Sequence, residues 1–150
     1  MRILVTGSGG LIGSEAASYF LKDKSNKVLG VDNNMRKVFF GPGGDVSKTI
    51  SRLRKSSNYI HANVDITNQK IIEKLFLDFV PDLVIHCAAQ PSHDKAASIP
   101  HLDFSVNANG TLNLLEAFRK LKKSDSVFIH VSTNKVYGDG PNHLKLIEGE

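Results

Sequence analysis

The chain has 150 residues, of which 41% are hydrophobic and 23% are charged. This composition is typical of a globular domain, and the length is sufficient to bury a core. The net charge of +4 comes from basic residues spread along the sequence, which favours a solvated surface over a nucleic-acid-binding face. The single cysteine, Cys87, excludes an internal disulfide and fits a reducing cytosol, and no apolar run approaches the ~20 residues of a membrane span. We therefore predict a cytoplasmic protein that binds neither nucleic acid nor a membrane.

Short apolar runs alternate with helical patterns along the chain, beginning with the run RILVT. A helical pattern covers residues 11–23, and a stripe of Ile72, Phe76 and Phe79 predicts a further helix. Five strands are predicted, at residues 2–6, 27–32, 58–61, 82–87 and 126–131. Alternation of this kind indicates an α/β fold with a doubly wound parallel sheet and right-handed crossovers.

The longest predicted helix covers residues 103–122. Ala108, Leu112, Leu115 and Phe118 share one face of it, as expected when apolar side chains recur every three or four positions.

Residues 33–57 form the irregular part of the pattern. The stretch FFGPGGD predicts a loop, and TISRLRK predicts a short helix. An insertion of this length often has a functional reason. The last dozen residues predict no element that would close a domain, and so we expect an N-terminal fragment of a longer protein.

A glycine-rich stretch, TGSGGLIG at residues 6–13, follows the first predicted strand. The pattern G-x-G-x-x-G does not fit when it is begun at Gly7, but Gly7, Gly10 and Gly13 are spaced three residues apart. In a dinucleotide-binding unit such glycines allow a tight turn, close approach of the backbone to a pyrophosphate, and close packing of helix on sheet. The N–H groups of the helix N-terminus then face the anion. The alternative is a tight turn without a ligand.

Asp32 ends the second predicted strand, nineteen residues after Gly13. This is near the ~20-residue spacing of an acid that accepts from the ribose hydroxyls of a dinucleotide. A carboxylate at this position favours NAD because it repels the 2′-phosphate of NADP. Arg36 and Lys37 follow closely, so NADP stays open as an alternative to the predicted cofactor, NAD.

Asp65 and Ile66 follow the third predicted strand. A carboxylate there is placed to accept from the adenine amino group. Alternatively, Asp65, Thr67 or Asn68 caps the helix that follows, since all three are good N-cap residues. The two roles are compatible.

Together these motifs resemble those of the extended short-chain dehydrogenase/reductase family, which contains the nucleotide-sugar epimerases and dehydratases. The similar stretches are TGSGGLIG at 6–13, VDNN at 31–34, DI at 65–66, HCAAQ at 86–90, VNANGTLNLLEA at 106–117 and STNKVYG at 132–138. The resemblance covers the whole chain. It implies a Rossmann fold over residues 1–150 that is incomplete at its C-terminal side, NAD as cofactor, a nucleotide-sugar substrate, and a homo-oligomer for the full-length protein.

The resemblance also implies roles for single positions. Asn107 is similar to an asparagine that holds the active-site backbone, and Thr133 to the residue that bonds the substrate hydroxyl during its oxidation, which makes Thr133 the predicted catalytic residue. The candidate substrate-binding residues are Gln90, Ser92, Asn134 and Lys135, with a plain loop or a solvated lysine as the alternatives. The predicted cofactor-binding residues are Gly7, Gly10, Leu11, Ile12, Gly13, Asp32, Asn33, Asn34, Arg36, Asp65, Ile66, Ala88, Ala89, Gln90 and Asn107.

The stretch STNKVYG distinguishes two branches of the family. In the sugar 4,6-dehydratases an Asp-Glu pair follows the threonine and supplies the acid and base that eliminate water. Asn134 and Lys135 occupy those positions here, which argues against a dehydratase. Together with DNNMRKVFFGPGGD at residues 32–45, they make the chain similar to epimerases that act at C2 of a CDP-linked sugar.

The base of that family is the tyrosine of a Tyr-x-x-x-Lys pair. Tyr19, Tyr59 and Tyr137 are followed four positions later by aspartate, asparagine and proline, so none of them fits. We therefore expect this chain alone to be inactive and able at most to bind a dinucleotide. Two alternatives stay open: another nucleotide-sugar epimerase, such as a UDP-glucose 4-epimerase, and a non-catalytic dinucleotide-binding module. The histidines lack metal-ligand spacing, so no metal site is predicted.

Overall fold

The computed structural model describes residues 1–133 and 140–145. Its five strands are all parallel and form one sheet in the order β3-β2-β1-β4-β5. The strands are β1 (Arg2–Thr6), β2 (Lys27–Val31), β3 (Tyr59–Ala62), β4 (Leu83–His86) and β5 (Val127–His130). The order reverses between β1 and β4, and sheets of this type bind ligands in the crevice outside the carboxyl ends of such strands. The predicted fold class is confirmed.

The helices lie on both faces of the sheet. They are α1 (Leu11–Leu21), α2 (Met35–Phe40), α3 (Ser47–Leu53), α4 (Gln69–Phe79), α5 (His93–Ser98), α6 (Pro100–Phe104) and α7 (Gly110–Lys120). Short 3-10 turns cover Gly41–Gly44 and Gly140–His143. A π-helical segment, Ser105–Asn109, joins α6 to α7, so the predicted helix over residues 103–122 corresponds to three consecutive helical segments.

Alternation along the central strand creates two apolar cores. Ile3 and Val5 of β1 face α1 and α3, whereas Leu4 faces α4 and α7, because successive side chains of a strand point to opposite faces. All three are fully buried, and each such side chain contributes about 1.5–3 kcal/mol relative to exposure. The stripe of Ile72, Phe76 and Phe79 packs into the second core, as predicted for α4.

Two leucines of the stripe predicted for this helix lie on the exposed side of α7. Leu112 and Leu115 are 56% and 43% exposed, whereas Leu114 is fully buried. Both stripes satisfy helical spacing, so periodicity alone does not choose between them. On the buried side of α7, Gly110 packs closely against Ile66, since a Cβ on the glycine would lie 2.6 Å from Cδ1 of Ile66.

The insertion after β2 is more regular than predicted, because the two phenylalanines of FFGPGGD end α2 and its glycines form a 3-10 turn. Asn34 anchors it from a left-handed backbone position with φ of 57°. Its Nδ2 donates to Oδ1 of Asp45 at 3.0 Å, and its Oδ1 accepts from N of Val46 at 3.0 Å. Lys37 lies 2.8 Å from the Asp45 carboxylate and holds the pKa of that group well below its usual range. The insertion is thus fastened to the end of β2.

We expect Gly30→Ala to destabilise the sheet. An added Cβ in β2 would lie 2.0 Å from Oη of Tyr59 and 2.6 Å from Oγ of Ser8, which are both buried and 3.2 Å apart. Overpacking of this kind typically costs about 1–3 kcal/mol, and urea denaturation measures it. Gly43→Ala is the control, since nothing lies within 4 Å of its added Cβ. Equal free energies of unfolding for the two variants would contradict the prediction.

Candidate functional site

A groove of about 260 Å³ opens at the carboxyl ends of β1, β2 and β4. It lies at the point where the strand order reverses, which is the position expected for a ligand in this fold. The structure brings twelve of the predicted cofactor-binding residues to it: Gly7, Gly10, Leu11, Ile12, Gly13, Asp32, Asn33, Arg36, Asp65, Ile66, Ala88 and Ala89. These residues are widely separated in sequence, and the sheet topology alone makes them neighbours.

The glycines of the loop allow close backbone packing and leave N–H donors free at the start of α1. Gly7 has φ of +65°, and a Cβ on it would lie 2.8 Å from N of Ala88. A Cβ on Gly13 would lie 2.2 Å from O of Gly7. Gly10 is the N-cap of α1 and has no side chain to cap the first turn, so the N–H groups of that turn are left for a ligand. The cradle therefore fits a pyrophosphate.

Asp32 is already held in place by the backbone. Its Oδ2 accepts from N of Gly9 at 2.8 Å and its Oδ1 from N of Asn34 at 2.7 Å. A carboxylate offers about four acceptor positions, so each oxygen retains one for a ribose hydroxyl. Gly9 was missed by sequence reasoning, although it is visible in GSGG. A Cβ on it would lie 2.6 Å from Cγ2 of Val46.

Apolar side chains of the insertion line one side of the groove, which the sequence did not predict. Met35, Phe39 and Val46 line the groove beside Asp32, and Phe39 is 7% exposed. No local pattern marks these side chains as ligand-facing, since their placement depends on how α2 and α3 fold back. They give the Asp32 end of the groove an apolar surface, which suits the face of a nucleobase.

Asp65 forms a local turn rather than a helix cap. Its Oδ1 accepts from N of Thr67 at 2.9 Å and from Oγ1 of Thr67 at 2.7 Å, and its Oδ2 accepts from Nδ2 of Asn33 at 3.2 Å. The N-cap of α4 is Asn68, whose side chain accepts from N of Ile71. Of the three cap candidates, only Asn68 has that role.

A second cleft of about 820 Å³ adjoins the groove. The two cavities share Ala88, Ala89 and Pro91 as a common wall. The second cleft contains the predicted residues Gln90, Ser92, Asn107 and Thr133. Asn134, Lys135 and Tyr137 lie outside the described residues.

Three predicted cofactor-binding residues do not line the groove. Asn34 anchors the insertion, as described above. Gln90 is 5% exposed, and its side-chain amide donates to O of Ser92 and Oδ1 of Asp103. Asn107 binds the backbone of Gln90, accepting from its N at 2.8 Å and donating to its O at 3.3 Å. These contacts direct all three side chains toward protein.

Residues 3–149 match the model of the NAD dependent epimerase/dehydratase family. The chain belongs to this family.

Relatives within the family include both epimerases and dehydratases. The chain is 34% identical over 139 residues to CDP-paratose 2-epimerase of Salmonella typhi and 32% identical over 149 residues to dTDP-glucose 4,6-dehydratase of Salmonella typhimurium. These matches cover 93% and 95% of this chain but 38% and 39% of the relatives. The chain thus spans about two fifths of their length.

A solved structure from the same family has a similar fold. UDP-glucuronic acid 4-epimerase of Bacillus cereus, in complex with UDP-glucuronic acid and NAD, is 34% identical with a TM-score of 0.76. The match covers 92% of this chain and 42% of that one. The predicted family is confirmed, and NAD is confirmed as the family's cofactor.

A buried chain of hydrogen bonds lies beneath the wall between the two cavities of this epimerase/dehydratase domain. Nδ1 of His86 is 2.7 Å from Oγ1 of Thr6, and its Nε2 is 2.9 Å from Oγ1 of Thr111. Thr111 donates to O of Asn107 at 2.7 Å, so it accepts from Nε2–H, and Thr6 donates to Nδ1. Burial lowers the pKa of His86 to about 4, so the ring is neutral at pH 7.

Cys87 follows His86 and lines the groove. Burial raises the pKa of its thiol to about 11. Because the thiolate is the nucleophilic form, this side chain serves as a small apolar part of the wall at neutral pH.

In the part of the chain that the structure describes, no group of three or more His, Cys, Asp or Glu side chains is placed to hold a metal ion. None of the helices in the same residues is both long and apolar enough to cross a membrane.

Proposed function

We propose that this chain is the NAD-binding part of a nucleotide-sugar epimerase and that the whole protein is a CDP-paratose 2-epimerase. The observation that carries the proposal is the joint placement of the glycine cradle and Asp32 in one groove beside the switch point of the sheet. It supplies anion donors and a ribose acceptor in one groove. Family membership and the CDP-paratose 2-epimerase relative support the same function.

We infer the residues that bind each part of the cofactor from their positions along the groove. The first turn of α1 binds the pyrophosphate, Asp32 accepts from the ribose hydroxyls on the β2 side, and Ala88 and Ala89 border the nicotinamide half on the β4 side. Bound NAD supplies reversible hydride transfer at the sugar carbon. Thr133, in the second cleft, bonds the hydroxyl of that carbon and orients it toward the common wall.

The epimerase branch is favoured by two residues of the sequence. Identities of 34% and 32% to an epimerase and a dehydratase are too similar to separate the two activities. Asn134 and Lys135 stand where dehydratases have their Asp-Glu pair. Neither residue is a carboxylic acid, so the chain has no acid and base there for elimination of water.

Titration calorimetry of the purified chain tests the cofactor assignment. We expect NAD to bind, NADP to bind at least about tenfold more weakly because of the Asp32 charge, and no turnover of CDP- or UDP-linked sugars by this chain alone. Turnover without further protein would contradict the expected absence of the catalytic base. Absence of NAD binding would contradict the proposed function itself.

Reading the gene beyond codon 150 tests the enzymatic assignment. A Tyr-x-x-x-Lys pair about one helix further on supports an epimerase, and a stop codon supports a non-catalytic dinucleotide-binding module. Assay of the encoded full-length protein with CDP-linked and UDP-linked sugars then separates a CDP-paratose 2-epimerase from a UDP-glucose 4-epimerase.

We also propose that the full-length protein is a cytoplasmic homo-oligomer. The exposed stripe of α7, which contains Leu112 and Leu115, supports the second point, because contiguous exposed apolar side chains favour association. Light scattering of the full-length protein tests it, and a monomer across the micromolar range would contradict it.

A further inference from the structure

Asp103 of α6 is the shared acceptor of two side-chain amides at the wall between the groove and the second cleft. Its Oδ1 accepts from Nε2 of Gln90 at 2.8 Å and from Nδ2 of Asn107 at 3.1 Å. Asp103 is half-buried and lines the second cleft but not the groove. Asp103 thus contacts Gln90 and Asn107 without lining the groove itself.

The carboxylate fixes which way both amides point. An ionised carboxylate only accepts hydrogen bonds, whereas an amide has a donor end and an acceptor end. When the NH₂ group of Asn107 donates to Asp103, the amide oxygen of Asn107 faces N of Gln90 at 2.8 Å. When the NH₂ group of Gln90 donates to Asp103, the amide oxygen of Gln90 accepts from N of Ser92 at 2.6 Å. One acceptor thus sets two backbone contacts.

Those contacts hold one end of the wall, and β1 holds the other. Oγ1 of Thr6 accepts from N of Ala88 at 3.1 Å, and Asn107 and Gln90 fix the chain at residues 90–92. Residues 88–91 form the wall segment, and these two sets of contacts hold its two ends. Ala88, Ala89 and Pro91 of this segment line the groove, so a displacement of the wall changes the groove on its β4 side.

We propose that Asp103 is a positioning residue for the nicotinamide side of the groove, acting through the amides of Gln90 and Asn107 on the wall segment 88–91. This inference rests on the proposed function and extends it to a residue outside the groove. Because the wall lies on the β4 side of β1 and Asp32 on the β2 side, loss of Asp103 affects the two halves of a dinucleotide unequally.

The test compares NAD with ADP, which contains only the adenosine diphosphate half, by calorimetry on the 150-residue chain. We expect Asp103→Leu to weaken NAD binding about tenfold and to change ADP binding by less than about twofold. Asp103→Asn keeps an acceptor oxygen for both amides and restores NAD affinity to within about threefold of the original chain. Gln90→Met removes the partner amide and gives the same selective loss, so it carries the test if Asp103→Leu does not fold.

Each outcome has one meaning. Equal losses for NAD and ADP, or unchanged NAD affinity in both disruptive variants, overturn the role of Asp103. Failure of Asp103→Asn to restore affinity also overturns it, because the argument requires an acceptor rather than a charge. Failure of the unaltered chain to bind NAD contradicts the proposed function instead.

Discussion

Gly13→Ala is expected to lower NAD affinity by about 100-fold or more, equivalent to ~2.8 kcal/mol, and to reduce the free energy of unfolding. The added Cβ would lie 2.2 Å from O of Gly7 and 2.8 Å from its C. These are backbone atoms, and O of Gly7 also accepts from N of Gly10 at 2.9 Å. The helix can accommodate the methyl group only by moving away from the loop that binds the pyrophosphate.

The sign of the stability change makes this result diagnostic. Within a helix alanine is ordinarily favoured over glycine by about 1 kcal/mol, so a loss of stability shows that the contact outweighs propensity. Calorimetry measures the NAD affinity, and urea denaturation measures the free energy of unfolding. Gly43→Ala again serves as the control. A Gly13→Ala chain that binds NAD normally would show that the cradle is not the pyrophosphate site.

Asp32→Asn is expected to weaken NAD binding by about 10- to 100-fold and to narrow the gap between NAD and NADP. The carboxylate accepts from N of Gly9 and N of Asn34 through different oxygens. An amide has one oxygen, so one of these N–H groups would face an NH₂ group and the ribose would lose acceptors. Hydrogen bonds to charged groups are worth about 1.5–3 kcal/mol each, which sets the expected range. The negative charge that repels a 2′-phosphate also disappears.

Calorimetry with NAD and NADP on the same variant separates these two effects. Asp65→Asn is the matched control, since Asp65 lines the same groove after the neighbouring strand, and we expect it to leave the ratio of the two affinities unchanged. An unchanged ratio in Asp32→Asn would show that Asp32 does not select the cofactor.

The parts of the fold that could be predicted are those encoded locally. The strand RILVT, the stripe of Ile72, Phe76 and Phe79, and the spacing from Gly13 to Asp32 are each visible within a short window. Parallel strands place their carboxyl ends at one edge of the sheet, and this brings together residues that follow different strands.

The direction in which a side chain points depends on packing rather than on sequence spacing, so it could not be predicted. Leu112 and Leu114 lie on stripes of equal periodicity, and Gly110 packs closely against Ile66 on the buried side of α7. Gln90 follows β4 as a ligand-binding residue would, yet Asp103, thirteen positions later, turns its amide inward. Asn34 stands beside Asp32 in sequence, but the insertion that it anchors is visible only in three dimensions.

The contact between Gly9 and Val46 links two segments that are far apart in the chain. A side chain at position 9 would contact Val46. The backbone nitrogen of Gly9 also donates a hydrogen bond to Oδ2 of Asp32. The effect of a substitution at either position therefore depends on the residue at the other. Under selection for binding, the glycine loop and the insertion would diverge together, and an exchange of one between relatives without the other would be poorly tolerated.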